Sequence, residues 1–163
     1  MLDLLEESNA RLSACGRYRY QLSRKWGSGS IACFVMLNPS TADASEDDPT
    51  IRRCKNFAKR ENCGGLVVAN LYAHRATDPA MLIDDEEHIG PGNDVMIRDA
   101  ILAAEHTDGP VIAAWGAHPI ATKRAKWVST FAEFKCLGKT AKGAPRHPLY
   151  LRKDAKLIPL VSN

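Results

Sequence analysis

Two asparagines close apolar runs in this chain. The run IACFVMLNPS over 31–40 stops at Asn38-Pro39-Ser40, and LVVANLY over 66–72 stops at Asn70-Leu71-Tyr72. A carboxamide donates and accepts hydrogen bonds at once. Asn38 can therefore position a water or a ligand carbonyl. Asn70 can pair with a base edge, as asparagine does with adenine. Each also has a plainer use, capping the turn that ends its run. Two at one edge raise the ligand-binding reading above either alone. Asp43, Asp47 and Asp48 follow the first run closely. A carboxylate there could act as a general base, or complement the start of the next helix. The helix role is the better reading for Asp47, and the two are balanced for Asp48. His147, in RHPLYL, could donate to an oxyanion when neutral or stabilise it when charged; a rigid surface turn is the ordinary reading for a lone histidine. Tyr72 and Trp115 could stack on a base, a contact worth ~1–3 kcal/mol, although such aromatics are more often core. Ser40, Arg52 and Arg146 are the candidate phosphate ligands, with a solvated face the default for Arg52 and its neighbour Arg53. His74 and His118, a few residues beyond strand ends, are weaker candidates, and His88 and His106 read as ordinary surface residues.

These residues need a scaffold that gathers them. Residues 17–24, RYRYQLSR, alternate and read as a strand; the turn 26–30 leads it as a hairpin into the strand that begins at Ile31. Residues 50–62 place Ile51, Cys54, Phe57 and Ala58 on one helical face. Further strands are expected over 66–71, 111–115 and 134–137, and further helices over 93–106 and 119–131, with a short helix starting at Asp78-Pro79. Strand and helix thus alternate. That order predicts a parallel four-stranded sheet with right-handed crossovers and helices on both faces. In such a sheet, ligands bind beyond the carboxyl ends of the strands. Asn38, Asn70, Trp115-Gly116 and the loop holding His147 all fall at that edge.

The bulk numbers agree with one α/β domain over 1–163. Hydrophobic content is 45% and charged content 25%, ordinary for a globular protein. No apolar run approaches the ~20 residues of a membrane span, and the acidic N-terminal stretch lacks a signal-peptide pattern; a cytoplasmic protein is expected. Five cysteines form no CxxC pair, and no HxH or HxxxH spacing occurs, so neither a disulfide framework nor a metal site is expected. Cys33 and Cys136 read as small buried residues. No GxGxxG or GxxxxGK[ST] appears, so no dinucleotide or P-loop cofactor is expected. Net charge is +3, divided between +8 from Thr122 onward and −5 before it. A basic region of that size can follow a phosphate backbone, or simply be a solvated basic surface.

The motifs LNPSTAD, DDPTIRRC, NLYAHRATDP, AWG and HPLYL, between about residues 18 and 159, resemble a bacterial and phage family catalogued only as domain of unknown function 1643. A more distant resemblance is to the uracil-DNA glycosylase superfamily, whose α/β/α fold carries a four-stranded parallel sheet. MLNPS is similar to that family's GINPG motif, VVANLY to its base-reading strand, AWG to its later WG strand end, and RHPLYL to its HPSPLS loop. The resemblance implies that Asn38 positions the attacking water, Asn70 reads the base and His147 stabilises the departing base. It also implies that the 146–151 loop enters the minor groove with Leu149 or Tyr150 as a wedge. The aspartate of the GQDPYH form has no counterpart here, and HPLYL lacks the serine and second proline of its model.

The expected fold is therefore a uracil-DNA glycosylase-like three-layer α/β/α domain with an added N-terminal hairpin strand. The expected function is binding, and excision where catalytic, of a nucleobase in nucleic acid. Water held by Asn38 or activated by Asp48 would attack the sugar, after the base is extruded from the duplex. The alternatives are an enzyme on free nucleotides or nucleosides, and a non-catalytic nucleic-acid or nucleotide binder.

Overall fold

A computed structural model describes residues 6–40 and 45–161. Its frame is one seven-stranded sheet. The strands are β1 (Glu7–Leu12), β2 (Arg19–Lys25), β3 (Ile31–Met36), β4 (Gly65–Asn70), β5 (Val111–Ala113), β6 (Lys135–Cys136) and β7 (Ile158–Pro159), in the spatial order β1-β2-β4-β3-β5-β6-β7. The middle strands β4, β3, β5 and β6 run parallel, while β2, β1 and β7 add antiparallel edges. The helices are α1 (Pro49–Arg60), α2 (Glu86–Ile89), α3 (Asn93–Glu105) and α4 (Ala121–Val128).

Central position explains why β3 and β4 are apolar on both faces: each has a partner on both edges and helices above or below. Ala32, Phe34 and Met36 face α1, where they pack with Ile51, Cys54, Phe57, Leu66 and Val68. Cys33 and Val35 face the other way and join Val67, Ala69, Ile97, Ile101 and Val128. Cys33 and Cys136 are both buried. α1 starts as its sequence dictates: Pro49 occupies the first turn, where its missing N–H costs nothing, and Asp48 caps it. Between α3 and β5 the chain passes so close to β3 that a Cβ on Gly109 would overlap the Ile31 carbonyl oxygen.

The N-terminal hairpin differs from expectation. β2 does not fold back onto β3; both edges of β3 are occupied by β4 and β5. Instead β2 crosses to the free edge of β4, with Gln21 opposite Ala69 and Leu22 opposite Val68. The hairpin that does form joins β1 to β2. The 119–131 helix is also shorter than expected. Ser129 Oγ and Thr130 Oγ1 donate to the carbonyls of Ala125 and Trp127, each at 2.7 Å, and the last turn gives way to local side-chain bonding. Among the described residues no helix is long and apolar enough to cross a membrane.

Candidate functional site

Beyond the carboxyl ends of β3 and β4 lies a cleft of about 160 Å³, lined by Met36, Asn38, Ser40, Asp48, Asn70 and His147 together with Arg19 and Thr50. Segments far apart in sequence meet here because β3 and β4 are parallel neighbours, with Met36 opposite Asn70. The ladder continues past the named strands through Leu71 N to Met36 O and Tyr72 N to Leu37 O, both at 2.9 Å. The N-terminus of α1 contributes Asp48 and Thr50, and the 3-10 turn Pro148–Tyr150 brings His147.

Asn70 is 1% exposed, and neither its Nδ2 nor its Oδ1 has a hydrogen-bond partner among the described residues. Its backbone is held from behind. Asn93 Nδ2 donates to Asn70 O at 2.9 Å, and Arg124 Nε donates to Leu71 O at 3.1 Å. Strand pairing and those bonds thus fix a carboxamide at the cleft with both polar atoms desolvated. A buried polar group in that state costs about 1–3 kcal/mol, and it becomes favourable once a ligand supplies the missing bonds.

Asn38 serves the plainer of the two uses foreseen for it, bonding within the turn. Its Nδ2 donates to Ala76 O at 2.6 Å and Pro39 O at 3.2 Å, strapping the turn to the loop after β4. Only its Oδ1 is left for a ligand or water. Asp48 is the N-cap of α1, where Oδ1 accepts from Ile51 N at 2.9 Å. Its Oδ2 accepts from Ser40 Oγ at 2.7 Å, so Ser40 bonds the carboxylate. An ionised carboxylate retains further lone pairs, and Asp48 keeps room for a water.

His147 is half-buried, and its Nδ1 accepts from Leu149 N at 3.2 Å. An accepting Nδ1 places the proton of the neutral ring on Nε2. Burial pushes the imidazole below its usual range, an effect the nearby Asp48 charge partly offsets. The ring is therefore a neutral Nε2–H donor at neutral pH.

Several other candidates lie elsewhere. Tyr72 is fully buried in the α3 core, where its hydroxyl meets Ile120 O at 2.9 Å and Asp84 Oδ1 at 3.1 Å. Trp115 is buried edge-on against Phe134, with ring centroids 5.5 Å apart. Neither lines the cleft, and the burial of Tyr72 leaves no ring face for a base; both take the core role that was the plainer reading. Asp47 stands behind the cap, bound to Arg24 and Lys55 at 2.8 Å each. Arg52 is exposed and donates to Asp47 O at 2.8 Å, while Arg146 donates to Lys139 O at 3.1 Å. His74 packs on His88, ring centroids 4.9 Å apart, and His118 Nδ1 accepts from Ile120 N; neither His74 nor His118 lines the cleft. Asp43 lies outside the described residues. No group of three metal-ligating side chains occurs among the described residues.

One charged residue of the cleft has no forerunner in the sequence reading. Arg19 is 3% exposed and lines the cleft from β2. Its place depends on β2 pairing with β4, a partner that local pattern does not reveal. The one available signal is a charge in an alternating run at a position that turns out buried.

A family model described as a protein of unknown function (DUF1643) matches residues 19–149, and the chain belongs to that family. That span takes in every described residue of the cleft. No curated protein matches the chain, and no solved structure matches it.

Proposed function

We propose that the cleft binds a nucleobase carried by nucleic acid, with hydrolysis of the glycosidic bond as its reaction. The observation that supports this most is the carboxamide of Asn70, buried and unbonded on both polar atoms. A donor and an acceptor side by side in one plane match the edge of a heterocyclic base. The volume agrees with a single ring: a cavity of ~150 Å³ holds benzene.

The remaining groups suit the same ligand. In the proposed reaction a water on Asn38 Oδ1 loses a proton to the Asp48 carboxylate and its oxygen bonds the anomeric carbon. The carbon–nitrogen bond breaks, its electron pair leaves with the base, and the Nε2–H of His147 donates to the base as it gains charge. Beside His147, Leu149 and Tyr150 are exposed, Tyr150 at 79%. They form an apolar tip suited to filling the gap an extruded base leaves. Motif order and the meeting of MLNPS, VVANLY and RHPLYL at one cleft support a uracil-DNA glycosylase-like reading of the fold.

The test is abasic-site formation on oligonucleotides carrying a panel of modified and damaged bases, with binding measured in parallel. Abasic product that disappears in Asn70→Ala supports the reading. A second reading, a non-catalytic binder, draws support from Asp48 and Asn38, whose hydrogen bonds already serve the helix cap and the turn. Base binding with no abasic product on any substrate would favour it. Neither binding nor product would end both.

A further inference from the structure

β1 ends the sheet on one side. It pairs with β2, and among the described residues no strand pairs with its outer edge. Alternation settles which backbone groups face that edge. Trp26, the residue after β2, donates its N–H to Gly64 O at 3.0 Å, on the β4 side. Counting back, Leu22 and Arg24 also face β4, whereas Gln21, Ser23 and Lys25 face β1. Their partners Arg11, Asn9 and Glu7 therefore spend their backbone bonds on β2. Ser8 and Ala10 are left facing outward, and there Ala10 N donates to the Asn9 side chain, Oδ1 at 2.9 Å.

An open strand edge is a template for another strand, and charges along it normally discourage pairing. β1 carries two, of opposite sign. Glu7 and Arg11 are both exposed. Their even spacing puts them on one face of the strand, the α3 face, where Arg11 stands 3.6 Å from Asp99. Both of those side chains are more than half exposed, so the contact holds Arg11 weakly.

We propose that β1 pairs antiparallel with β1 of a second copy of this chain, about a twofold axis through Asn9. In that register Ser8 exchanges backbone bonds with the partner's Ala10, and Ala10 with the partner's Ser8. On the α3 face Glu7 lies opposite the partner's Arg11, and Arg11 opposite the partner's Glu7. The neighbouring registers of the same parity set Glu7 against Asn9 or Ser13 and lose both ion pairs. A foreign strand without this pattern leaves the two charges unmatched, so the edge favours its own copy. The axis is normal to the sheet and the interface isologous. Strand direction reverses across it, so the two clefts open at opposite ends of the joined sheet. The inference is independent of what the cleft binds.

Sedimentation velocity on the intact chain at low salt, from about 1 to about 200 µM, tests it. Pairing over so short a strand makes a small interface, and the wild-type dimer is expected with a Kd of about 10–100 µM. Glu7→Lys and Arg11→Glu, each alone, set like charges opposite one another twice and should weaken it at least ~10-fold. An equimolar mixture of the two variants should dimerise again, because one strand then carries two positive charges and the other two negative. A wild-type chain that stays monomeric overturns the proposal. So does association that runs on beyond two copies, a dimer indifferent to both substitutions, or a mixture that stays apart. Should either variant not fold by circular dichroism, the wild-type series and the doubly exchanged Glu7→Lys/Arg11→Glu chain, expected to dimerise as the wild type does, decide the matter.

Discussion

The side chain of Asn70 has given up water on both polar atoms without receiving a partner among the described residues. Its removal should therefore separate stability from binding. Asn70→Ala relieves a desolvation penalty of about 1–3 kcal/mol and opens onto an existing cleft rather than a sealed cavity. We expect urea unfolding to show stability unchanged or slightly raised, while affinity for a base falls at least ~10-fold. A large loss of stability would mean that the amide is bonded after all. His147 makes a second expectation. Because burial lowers its folded-state pKa, the unfolded chain takes up a proton first, at about 6.5. The stability from neutral His147 is complete above that value and drains away as pH falls from there toward the lowered folded value. Protonation also puts a hydrogen on Nδ1, ending its bond with Leu149 N. Nitrogen chemical shifts should show the Nε2–H tautomer and a midpoint below 6.5; a midpoint above it would contradict the burial argument. Asn38, Asp48 and His147 could be singled out beforehand because they follow strand ends or open a helix, where local pattern points to the sheet edge. Arg19 could not, since its role depends on which strand β2 chooses. Tyr72 shows the converse: a residue type suited to stacking says nothing about which face of the sheet receives it.

Asp48 caps α1 and, in the proposed reaction, takes the proton of the attacking water; two substitutions tell these roles apart. Asp48→Ala removes the cap and should cost about 0.5–2 kcal/mol. Asp48→Asn keeps an effective cap but loses the carboxylate, so it should melt near the wild-type temperature and yet form no abasic product. Full activity in Asp48→Asn would remove the carboxylate from the chemistry. Behind the cap, Asp47 links β2 to α1 through Arg24 and Lys55. Burial pushes the Asp47 carboxyl up, but the bonds from Lys55 and Arg24 outweigh it and hold the group below its usual range. That contribution is complete above about pH 4 and is lost as pH falls through the lowered value. Arg24 is 1% exposed, so Asp47→Asn leaves a buried cation short of its partner. The expected cost is about 3 kcal/mol, the low end for breaking a buried pair, because Glu6 stands 3.9 Å from Arg24. The elements around this network differ in how plainly the sequence shows them. β3, β4 and α1 stand out through unbroken apolar runs or a clean helical stripe. β1 is ESNARL, mostly exposed at the sheet edge, with no apolar alternation to mark it. β6 has only two residues, too few for any period.

Charge is distributed unevenly over the whole chain, +8 from Thr122 onward against −5 before it. Exposed Lys142, Arg146, Arg152, Lys153 and Lys156 belong to the stretch that delivers His147 to the cleft. This stretch is tied to α1 where Arg53 donates to Leu151 O and Arg60 to Lys153 O. Its basic groups thus share a scaffold with the candidate site. If three to five of them neutralise phosphates, log affinity for DNA should fall against log salt with a slope of about −3 or steeper. Fluorescence anisotropy over a salt series measures it. A flat dependence would favour a free nucleotide or nucleoside as the ligand.

The detour of β2 to the far edge of β4 has a bearing on how the polypeptide matures. Residues 19–25 leave the ribosome some forty positions before the strand they must join. Until residues 65–70 exist, β2 has only β1 to pair with, and its distant pairing with β4 forms late. Arg19 therefore reaches its station only when the central layer is already in place. Pulsed hydrogen exchange during refolding should find the β2 amides protected no earlier than those of β4; earlier protection would mean that the N-terminal hairpin organises itself unaided.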